Sequence, residues 1–326
     1  MKTYRSEKFP IARFYHIRHR HQHGVSLVEI MVALAISGIV LAAVLLSVAS
    51  AARSSAAQTE QSAMVENGQY ALNLLSKYIR NAGYESLTAV DTNHAVKDRK
   101  RFGRYILGCE SGIVGDTAVA LPDWGAACNA DDSGNDAIAV RYQGGQLTML
   151  PNNTENVTDS GANVNFQALD CSGRIVAATT PGGDGNDITI VDNRFYVNNN
   201  NLVCLGNGVG AAPTPIVQNI EQLKITYGVT NRVPNKAGIE VLGNRTVQYM
   251  NADYLESSAA PGENPWERVT SVRICVVVRS PNPVPSLPTL SYMNCNGVLQ
   301  TPPPADEFAR KALFTVVEIP NVGPGF

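Results

Sequence analysis

The feature that most constrains this chain is an uncharged, mostly apolar run from Ile30 to Ala52, which follows Glu29 and ends at Arg53. A helix of about 20 apolar residues spans a lipid bilayer, so this run is long enough to cross a membrane. Secretory signals place a small-residue cleavage site after the apolar region, whereas here the small residue, Gly24, comes before it. A cut after Gly24 would leave the apolar segment on the mature protein, with Val25 as its new N-terminus.

The head of the chain, residues 1–24, is strongly basic although the chain as a whole has a net charge of −2. Positively charged flanks stay in the cytoplasm, so the head is expected inside and everything after Ala52 outside the inner membrane. The exported remainder is acidic, so it has no electrostatic reason to bind nucleic acid directly. The head contains one acidic residue, Glu7, and six basic ones: Lys2, Arg5, Lys8, Arg13, Arg18 and Arg20.

Histidine is scarce in the part of the chain that would remain after the cut. The sequence has five histidines, and only His94 lies outside the head. Ser-His-Asp catalysis and His-rich zinc sites would have to be built with one imidazole, so these enzyme classes are disfavoured. We predict no cofactor and no enzymatic activity.

All six cysteines follow the apolar run, on the side of the membrane that is expected to be oxidising. An even number of cysteines in such a compartment predicts disulfides, and the absence of a CxxC spacing disfavours a zinc ribbon or a redox motif. Six cysteines allow 15 connectivities, of which we expect the pairing of sequence neighbours. These pairs are Cys109 with Cys128, Cys171 with Cys204, and Cys275 with Cys295.

The segment after Arg53 continues the helix. It lacks proline up to Tyr84, and the apolar residues at positions 72, 75, 78 and 79 have helical spacing. Gly83 is a suitable left-handed cap. The sequence therefore predicts a helix from about Val25 to Ala82, whose second half is amphipathic and packs on a folded domain.

Beyond Gly83 the pattern changes to β-strands. Residues 134–142 and 146–150 flank a Gly-Gly pair and predict a hairpin. A similar unit recurs at 185–191, followed by a second predicted hairpin that joins 194–197 to 202–204 through an Asn-rich turn. Further strands are predicted at 220–229, 269–279 and 313–319. The expected fold class is α+β, with a long N-terminal helix packed on a mainly antiparallel β-sheet domain.

The order Gly-Val-Ser-Leu-Val-Glu at residues 24–29 resembles the cleavage and methylation site of type IV prepilins, usually Gly-Phe-Thr-Leu-Val-Glu. Val25 and Ser26 depart from the commonest Phe and Thr, whereas Gly24 and Glu29 match. Four later fragments resemble the PilW family of minor pilins and occur in the family's order. They are residues 73–84, 220–229, 266–274 and 310–315.

The resemblance implies that a prepilin peptidase cuts between Gly24 and Val25 and that the same membrane enzyme methylates the amine of Val25. A carboxylate in the membrane costs about 3 kcal/mol on insertion scales, so Glu29 is expected to be paired or functional. Its partner would be the cationic α-amine of a neighbouring pilin helix, which would set the register of helices during assembly. The alternative is that Glu29, at the edge of the run, simply reaches the membrane surface.

The resulting expectation is a single-pass protein of the bacterial inner membrane, with a pilin-like fold, that is built into a type IV pilus. Its parts are a cytoplasmic leader (1–24, removed), a transmembrane and assembly half of the helix (25–52), an amphipathic half (53–83) and a periplasmic β-rich domain (84–326). The implied partners are the peptidase, other minor pilins, the major pilin, a pilus-tip adhesin and membrane lipid.

Four alternatives remain open at this stage. Asp131, Ser133 and Asp136 lie in an oxygen-rich loop that could hold Ca²⁺, although the loop does not fit the EF-hand pattern and a capped turn is favoured. Trp124 and Trp266 could form a binding surface, although core packing is favoured. A minor pseudopilin of a type II secretion system uses the same leader and helix. A membrane-anchored periplasmic binding protein would keep its head uncut.

Overall fold

The computed structural model of the chain describes residues 24–84, 104–110, 128, 134–144, 149–150, 167–176, 179–181, 187–234, 240–243, 245–260, 263–284, 291–303 and 305–321. The chain divides into two compact units at the boundary between Arg53 and Ser54. Helix α1 (Leu27–Asn81) begins in the first unit and ends in the second. A short helix, α2 (Ala252–Ser257), and one turn of 3-10 helix (Pro265–Arg268) belong to the second unit.

The remaining regular structure is β-strand, and it forms antiparallel pairs in the part of the chain that the structure describes. The strands are β1 (Ile106–Cys109), β2 (Ala137–Gln143), β3 (Met149–Leu150), β4 (Gln167–Ala168), β5 (Thr179–Pro181), β6 (Asp187–Ile188), β7 (Ile190–Asn198), β8 (Asn201–Gly206), β9 (Thr214–Gln218), β10 (Ile220–Val229), β11 (Arg232–Pro234), β12 (Glu240–Leu242), β13 (Gln248–Met250), β14 (Val269–Arg279), β15 (Tyr292–Met293), β16 (Leu299–Gln300) and β17 (Arg310–Glu318). The predicted α+β class is confirmed.

The second half of α1 packs on the β-strands through one face. Its buried residues recur every three or four positions, which places them on one side of the helix. Gly83, which has φ 73°, follows the helix end as predicted. Asn321 donates hydrogen bonds to the carbonyl groups of Arg80 and Ala82 and so satisfies two groups that the helix leaves free. The buried positions are Met64, Gly68, Ala71, Leu72, Leu75 and Ile79.

A four-stranded sheet in the order β13-β10-β14-β17 lies against this helix face. The predicted strands at 220–229 and 269–279 are confirmed as β10 and β14, and the third prediction overlaps β17. Trp266 is fully buried and meets the Tyr227 ring edge-on at 4.9 Å, so its predicted core role is also confirmed. Trp124 lies outside the described residues.

A five-stranded sheet in the order β1-β2-β7-β8-β9 completes the core of the second unit. The predicted hairpin of β7 and β8 is confirmed: Asn198 pairs with Asn201, and the turn residues Asn199 and Asn200 have positive φ. Asparagine tolerates this left-handed backbone better than most residues. Tyr78 of α1 contacts Phe195 of this sheet, with 5.1 Å between the ring centroids.

The predicted hairpin of 134–142 with 146–150 is wrong. Strand β2 pairs with β1 and β7, while β3 pairs with β4. Gly144 serves close packing: a Cβ at this position would lie 2.4 Å from the Cβ of Ala168. The repeated unit at 185–191 is also different from the prediction, because β6 ends at Ile188 and β7 runs without interruption from Ile190 to Asn198.

Three disulfides connect sequence-adjacent cysteines, Cys109–Cys128, Cys171–Cys204 and Cys275–Cys295. Their Cα–Cα distances are 5.5, 6.1 and 5.6 Å, within the usual range for a disulfide. The third ties the β15–β16 hairpin to β14.

Candidate processing and assembly site

The three residues before α1 have no regular secondary structure. Residues 24–26 precede the helix, and the carbonyl oxygen of Ser26 accepts hydrogen bonds from the N–H groups of Glu29 (3.0 Å) and Ile30 (3.2 Å). The bond between Gly24 and Val25 therefore lies in non-helical backbone just before the first turn. Such backbone can enter the cleft of a peptidase without unwinding a helix.

Gly24 is not required by the local fold. A Cβ added at this position would meet no atom within 4 Å, and the residue is exposed. A side chain would therefore cause no clash with the residues that the structure describes. If glycine is needed here, the reason lies in what must bind the chain before Val25.

Glu29 occupies the first turn of α1, where a negative charge interacts favourably with the N-terminal end of the helix dipole. Its side chain is exposed and is surrounded along the helix by apolar residues. The structure thus places a carboxylate at the entrance of a segment that otherwise carries no charge as far as Ala52.

The first half of α1 is apolar on all sides. Every residue from 24 to 56 is exposed, and the large apolar side chains between Val25 and Val48 expose 50% to 74% of their surface. A helix that is apolar all round needs lipid or other protein around it. Ser37 donates a hydrogen bond to the carbonyl of Leu34, so its hydroxyl is already satisfied within the helix. By length and composition α1 can cross a membrane.

Of the three residues considered for Ca²⁺ binding, the structure describes Asp136, and its carboxylate is engaged in hydrogen bonds within the protein. Asp136 accepts hydrogen bonds at both carboxylate oxygens, from Lys224 Nζ and from the N–H of Ile225, each at 2.7 Å. Asn135 accepts from the N–H of Leu223 at 2.9 Å. These side chains connect the start of β2 to β10. Asp131 and Ser133 lie outside the described residues, and no group of His, Cys, Asp or Glu suited to a metal ion occurs within them.

A second ionic cluster lies where β17 begins. The Arg310 guanidinium donates to both oxygens of Glu221, at 2.6 and 3.0 Å, and to Asp306 at 2.7 Å. Hydrogen bonding to this guanidinium lowers the pKa of the Asp306 carboxyl. Glu221 lies in β10, Arg310 in β17 and Asp306 just before β17, so this cluster links β10 to the start of β17.

Comparison with known proteins adds two family matches. Residues 19–45 match the prokaryotic N-terminal methylation motif, and residues 189–321 match the family described as Type IV Pilus-assembly protein W. No curated protein matches the chain. The solved structure of the type IV-like pilin TTHA1219 from Thermus thermophilus is similar, with 14% identity, coverage of 80% of this chain and 98% of that chain, and a TM-score of 0.33.

The two family matches fall on the two parts of the chain that the sequence analysis singled out. The first contains the Gly24–Val25 bond and Glu29, and the second runs from the start of β7 past the end of β17. The resemblance to prepilins and to the PilW family is confirmed. Three of the four fragments that carried it, residues 220–229, 266–274 and 310–315, fall within the second match, whereas residues 73–84 lie outside both matches.

Proposed function

We propose that this chain, a type IV pilin of the PilW family, is a minor pilin that is cut after Gly24 and built into the complex that initiates or caps pilus assembly. The observation that carries the proposal is the junction itself. An open Gly24–Val25 bond lies directly before an exposed apolar helix with a carboxylate in its first turn, and the junction falls within the methylation-motif match.

In this proposal the chain is a substrate twice. A prepilin peptidase binds the backbone around Gly24, where the absence of a Cβ leaves room for the enzyme. Hydrolysis of the peptide bond leaves the carboxylate on Gly24 and a free amine on Val25, which is then methylated. The mature chain keeps the whole of α1.

Glu29 then sets the position of the mature helix in the assembly. A carboxylate in lipid is costly, and a cationic amine brought alongside by a neighbouring pilin offsets the desolvation of both charges. Since the other side chains from Val25 to Ala52 are uncharged, this pair is the electrostatic interaction by which the segment favours one axial position. The helices therefore dock at one axial offset.

The proposed location is the inner membrane, with residues 54–326 in the periplasm before assembly. The basic head favours the cytoplasmic side, and disulfides persist in an oxidising compartment. A prepilin processing motif implies the peptidase and other pilins as partners in general. Within that class we propose other minor pilins, the major pilin and a tip adhesin.

Mass spectrometry of the protein from its native host tests the processing step. We expect an N-terminus at methylated Val25. Gly24→Val should leave the chain uncut, because the peptidase would meet the added side chain. The matched variant Gly38→Val should be cut normally. A Cβ at either glycine meets no neighbouring atom, so neither variant should disturb the fold. An intact N-terminal segment in the wild-type protein would contradict the proposal.

Glu29 variants test the assembly step separately. Glu29→Gln keeps the shape and removes the charge, so membrane insertion and cleavage should persist while incorporation into sheared pili falls at least about tenfold. Losing one partner of a buried ion pair costs about 3–5 kcal/mol, which is ample for this effect. Glu29→Asp, which keeps the charge, should retain more incorporation than Glu29→Gln. Equal incorporation of all three proteins would contradict the pairing.

A further inference from the structure

Asparagine followed by glycine is the dipeptide in which a side-chain amide is converted most readily to an acid without an enzyme. The sequence contains three such pairs, Asn67–Gly68, Asn207–Gly208 and Asn296–Gly297. In this reaction the backbone nitrogen of the glycine attacks the side-chain amide carbon of the asparagine. Glycine favours the attack because it has no Cβ and leaves the backbone free to turn. All three pairs lie in described residues, so the fold decides which of them can reach the reactive geometry.

The first pair lies inside α1, where the helix holds the attacking nitrogen. In an α-helix the N–H of an interior residue donates to the carbonyl four residues earlier. Gly68 is buried, and a Cβ at this position would lie 2.4 Å from Cδ1 of Leu313. The Gly68 nitrogen therefore cannot turn toward the Asn67 side chain unless the helix opens where it packs on the sheet.

The second pair is held at both reacting groups. The Asn207 side chain accepts a hydrogen bond from the N–H of Asp192 at 3.0 Å and donates one to the carbonyl of Ile190 at 2.9 Å. The N–H of Gly208 donates to Oδ2 of Asp170 at 2.8 Å, in buried surroundings. These bonds must break before the Gly208 nitrogen can meet the amide carbon of Asn207.

The third pair lies at the tip of the β15–β16 hairpin and is open. Asn296 and Gly297 are both exposed, and a Cβ at Gly297 would meet no atom within 4 Å. The backbone N–H of Asn296 donates to Oδ1 of Asn294, while its side-chain amide has no hydrogen-bond partner among the described residues. The N–H of Gly297 donates to the carbonyl of Asn294 at 3.0 Å. This one bond lies in an exposed turn, which opens at a lower free energy than the core.

The surroundings of Asn296 also tolerate the product. Cys295 is bonded to Cys275 of β14, so the hairpin stays attached to the sheet after a change in the neighbouring backbone. A carboxylate at an exposed tip keeps its hydration, so no burial cost opposes its formation. From Ser291 to Gln300 the sequence has no charged side chain, so the new carboxylate would be the charge that distinguishes a modified hairpin.

We propose that Asn296 is a site of spontaneous modification, at which the neutral amide becomes aspartate or isoaspartate. Hydroxide removes the proton from the Gly297 nitrogen, which then forms a bond to Cγ of Asn296. The bond between Cγ and Nδ2 breaks, and Nδ2 takes up a proton from water and leaves as ammonia. One water molecule opens the resulting succinimide ring. Opening at Cγ gives aspartate, and opening at the backbone carbonyl carbon gives isoaspartate.

The net reaction consumes one water and releases one ammonia, so it needs no oxidant, reductant or enzyme. It gives the exposed tip one negative charge that the gene does not encode. An isoaspartate also adds one methylene to the backbone beside Cys295. The extent of the modification therefore increases with the age of the chain, and modified chains differ from new ones in surface charge.

Peptide mapping by mass spectrometry tests the site. The full chain, purified in detergent, is incubated at pH 6 and pH 8, and conversion of the three asparagines is followed over time. We expect Asn296 to be converted, and faster at pH 8 because hydroxide starts the reaction. Asn207 should react at least about tenfold more slowly, because both hydrogen bonds of its side chain must break first. Asn67 should likewise stay unmodified while α1 remains folded.

The same incubation in denaturant provides the control for the fold. Without the helix and the sheets, the three pairs differ little in their local chemistry, so their rates should become similar. Electron-transfer fragmentation distinguishes isoaspartate from aspartate in the Asn296 peptide. Both products should be present, because the ring can open at either carbonyl carbon.

Two variants test the chemistry at the tip. Asn296→Gln keeps the amide, but its attack would need a six-membered ring, so position 296 should stay neutral. Gly297→Asn adds a Cβ at the attacking residue and should slow the conversion of Asn296. Gly297 has φ 74°, and asparagine tolerates this left-handed backbone better than most residues, so the turn should persist. An unchanged Tm for both variants checks that the fold is intact.

Two results would overturn the proposal. One is an Asn296 that stays unmodified in the folded chain while all three pairs react in denaturant. The other is equal conversion of the three pairs in the folded chain, since the exposed tip would then have no special reactivity. Neither result bears on cleavage after Gly24 or on incorporation into pili, so the proposed function stands or falls separately.

Discussion

Asp136 is the residue whose charge the fold constrains most clearly. It lies just before β2 of the five-stranded sheet. Its carboxylate accepts hydrogen bonds from Lys224 and from the backbone N–H of Ile225, both in β10 of the four-stranded sheet. Burial raises the pKa of this carboxyl to about 6, and the hydrogen bonds from Lys224 and Ile225 offset only part of the effect. Glu110, which carries the same sign of charge, raises it slightly further. The residue therefore links the two sheets in a form that titrates close to neutrality.

We predict that stability rises as the pH is lowered from 7 to 5. In this window the folded protein takes up a proton at Asp136, whereas in the unfolded chain the carboxyl, with its ordinary pKa of 3.8, stays ionised. The folded state binds more protons, so unfolding becomes harder at lower pH. Two pKa units correspond to at most roughly 3 kcal/mol. Thermal unfolding of the full chain in detergent at pH 5, 6 and 7 measures the slope, which Asp136→Asn should flatten.

Asp306→Asn is the matched control for this prediction. The pKa of Asp306 is lowered by Arg310, so this carboxyl is ionised throughout the window in both states. Its removal should shift the whole curve and leave the slope between pH 5 and 7 unchanged. If the two variants have the same slope, burial of Asp136 is not the cause.

Among the elements, those predicted most accurately from the sequence are the ones whose pattern is local. Helix α1 has a single apolar face in its second half and no proline. Strand β10 places apolar residues among polar ones, and β14 is rich in β-branched residues, so the approximate bounds of all three could be predicted from the local sequence. The partner of β2 could not be read. It pairs with β7 some fifty residues away, and its buried polar side chains find partners there, as in the ion pair of Arg141 with Asp192 at 3.0 Å.

Gly68 provides the test of how closely α1 lies on the sheet. A Cβ at this position would lie 2.4 Å from Cδ1 of Leu313 and 2.7 Å from Cγ2 of Val278. Val278 is fully buried and β-branched, so it has little freedom to move. We predict that Gly68→Leu lowers the free energy of unfolding by about 1–3 kcal/mol through overpacking. Gln69→Leu, on the exposed face of the same helix, should change it by less than about 0.5 kcal/mol. Equal effects in denaturant titrations would contradict the close packing.

At the scale of the whole molecule, the candidate processing site and the order of the strands in the sheets differ in how far the sequence could reveal them. The junction at Gly24, Val25 and Glu29 is contiguous, so its spacing alone indicated the class of protein. The edge at β17 depends on sheet order, because the same nine residues would be an interior strand if another strand followed β17 in the sheet. Sheet order follows from packing of the entire second unit, and no local pattern around Phe314 encodes it.

The disulfides connect that second unit across its surface and core, and their loss should affect stability unequally. Removal of the Cys275–Cys295 link, which spans 20 residues, by double substitution to alanine should cost about 3 kcal/mol, mainly by freeing the unfolded chain. The strand β14 that holds Cys275 is paired on both sides, so the sheet should keep its register.

Removal of Cys171–Cys204, which spans 33 residues, should cost roughly 0.4 kcal/mol more through loop length alone. Cys204 is fully buried, so this variant also leaves a cavity in the core. Equilibrium unfolding of both variants gives the comparison, and an equal or smaller loss for Cys171–Cys204 would show that the core sheet does not depend on this link.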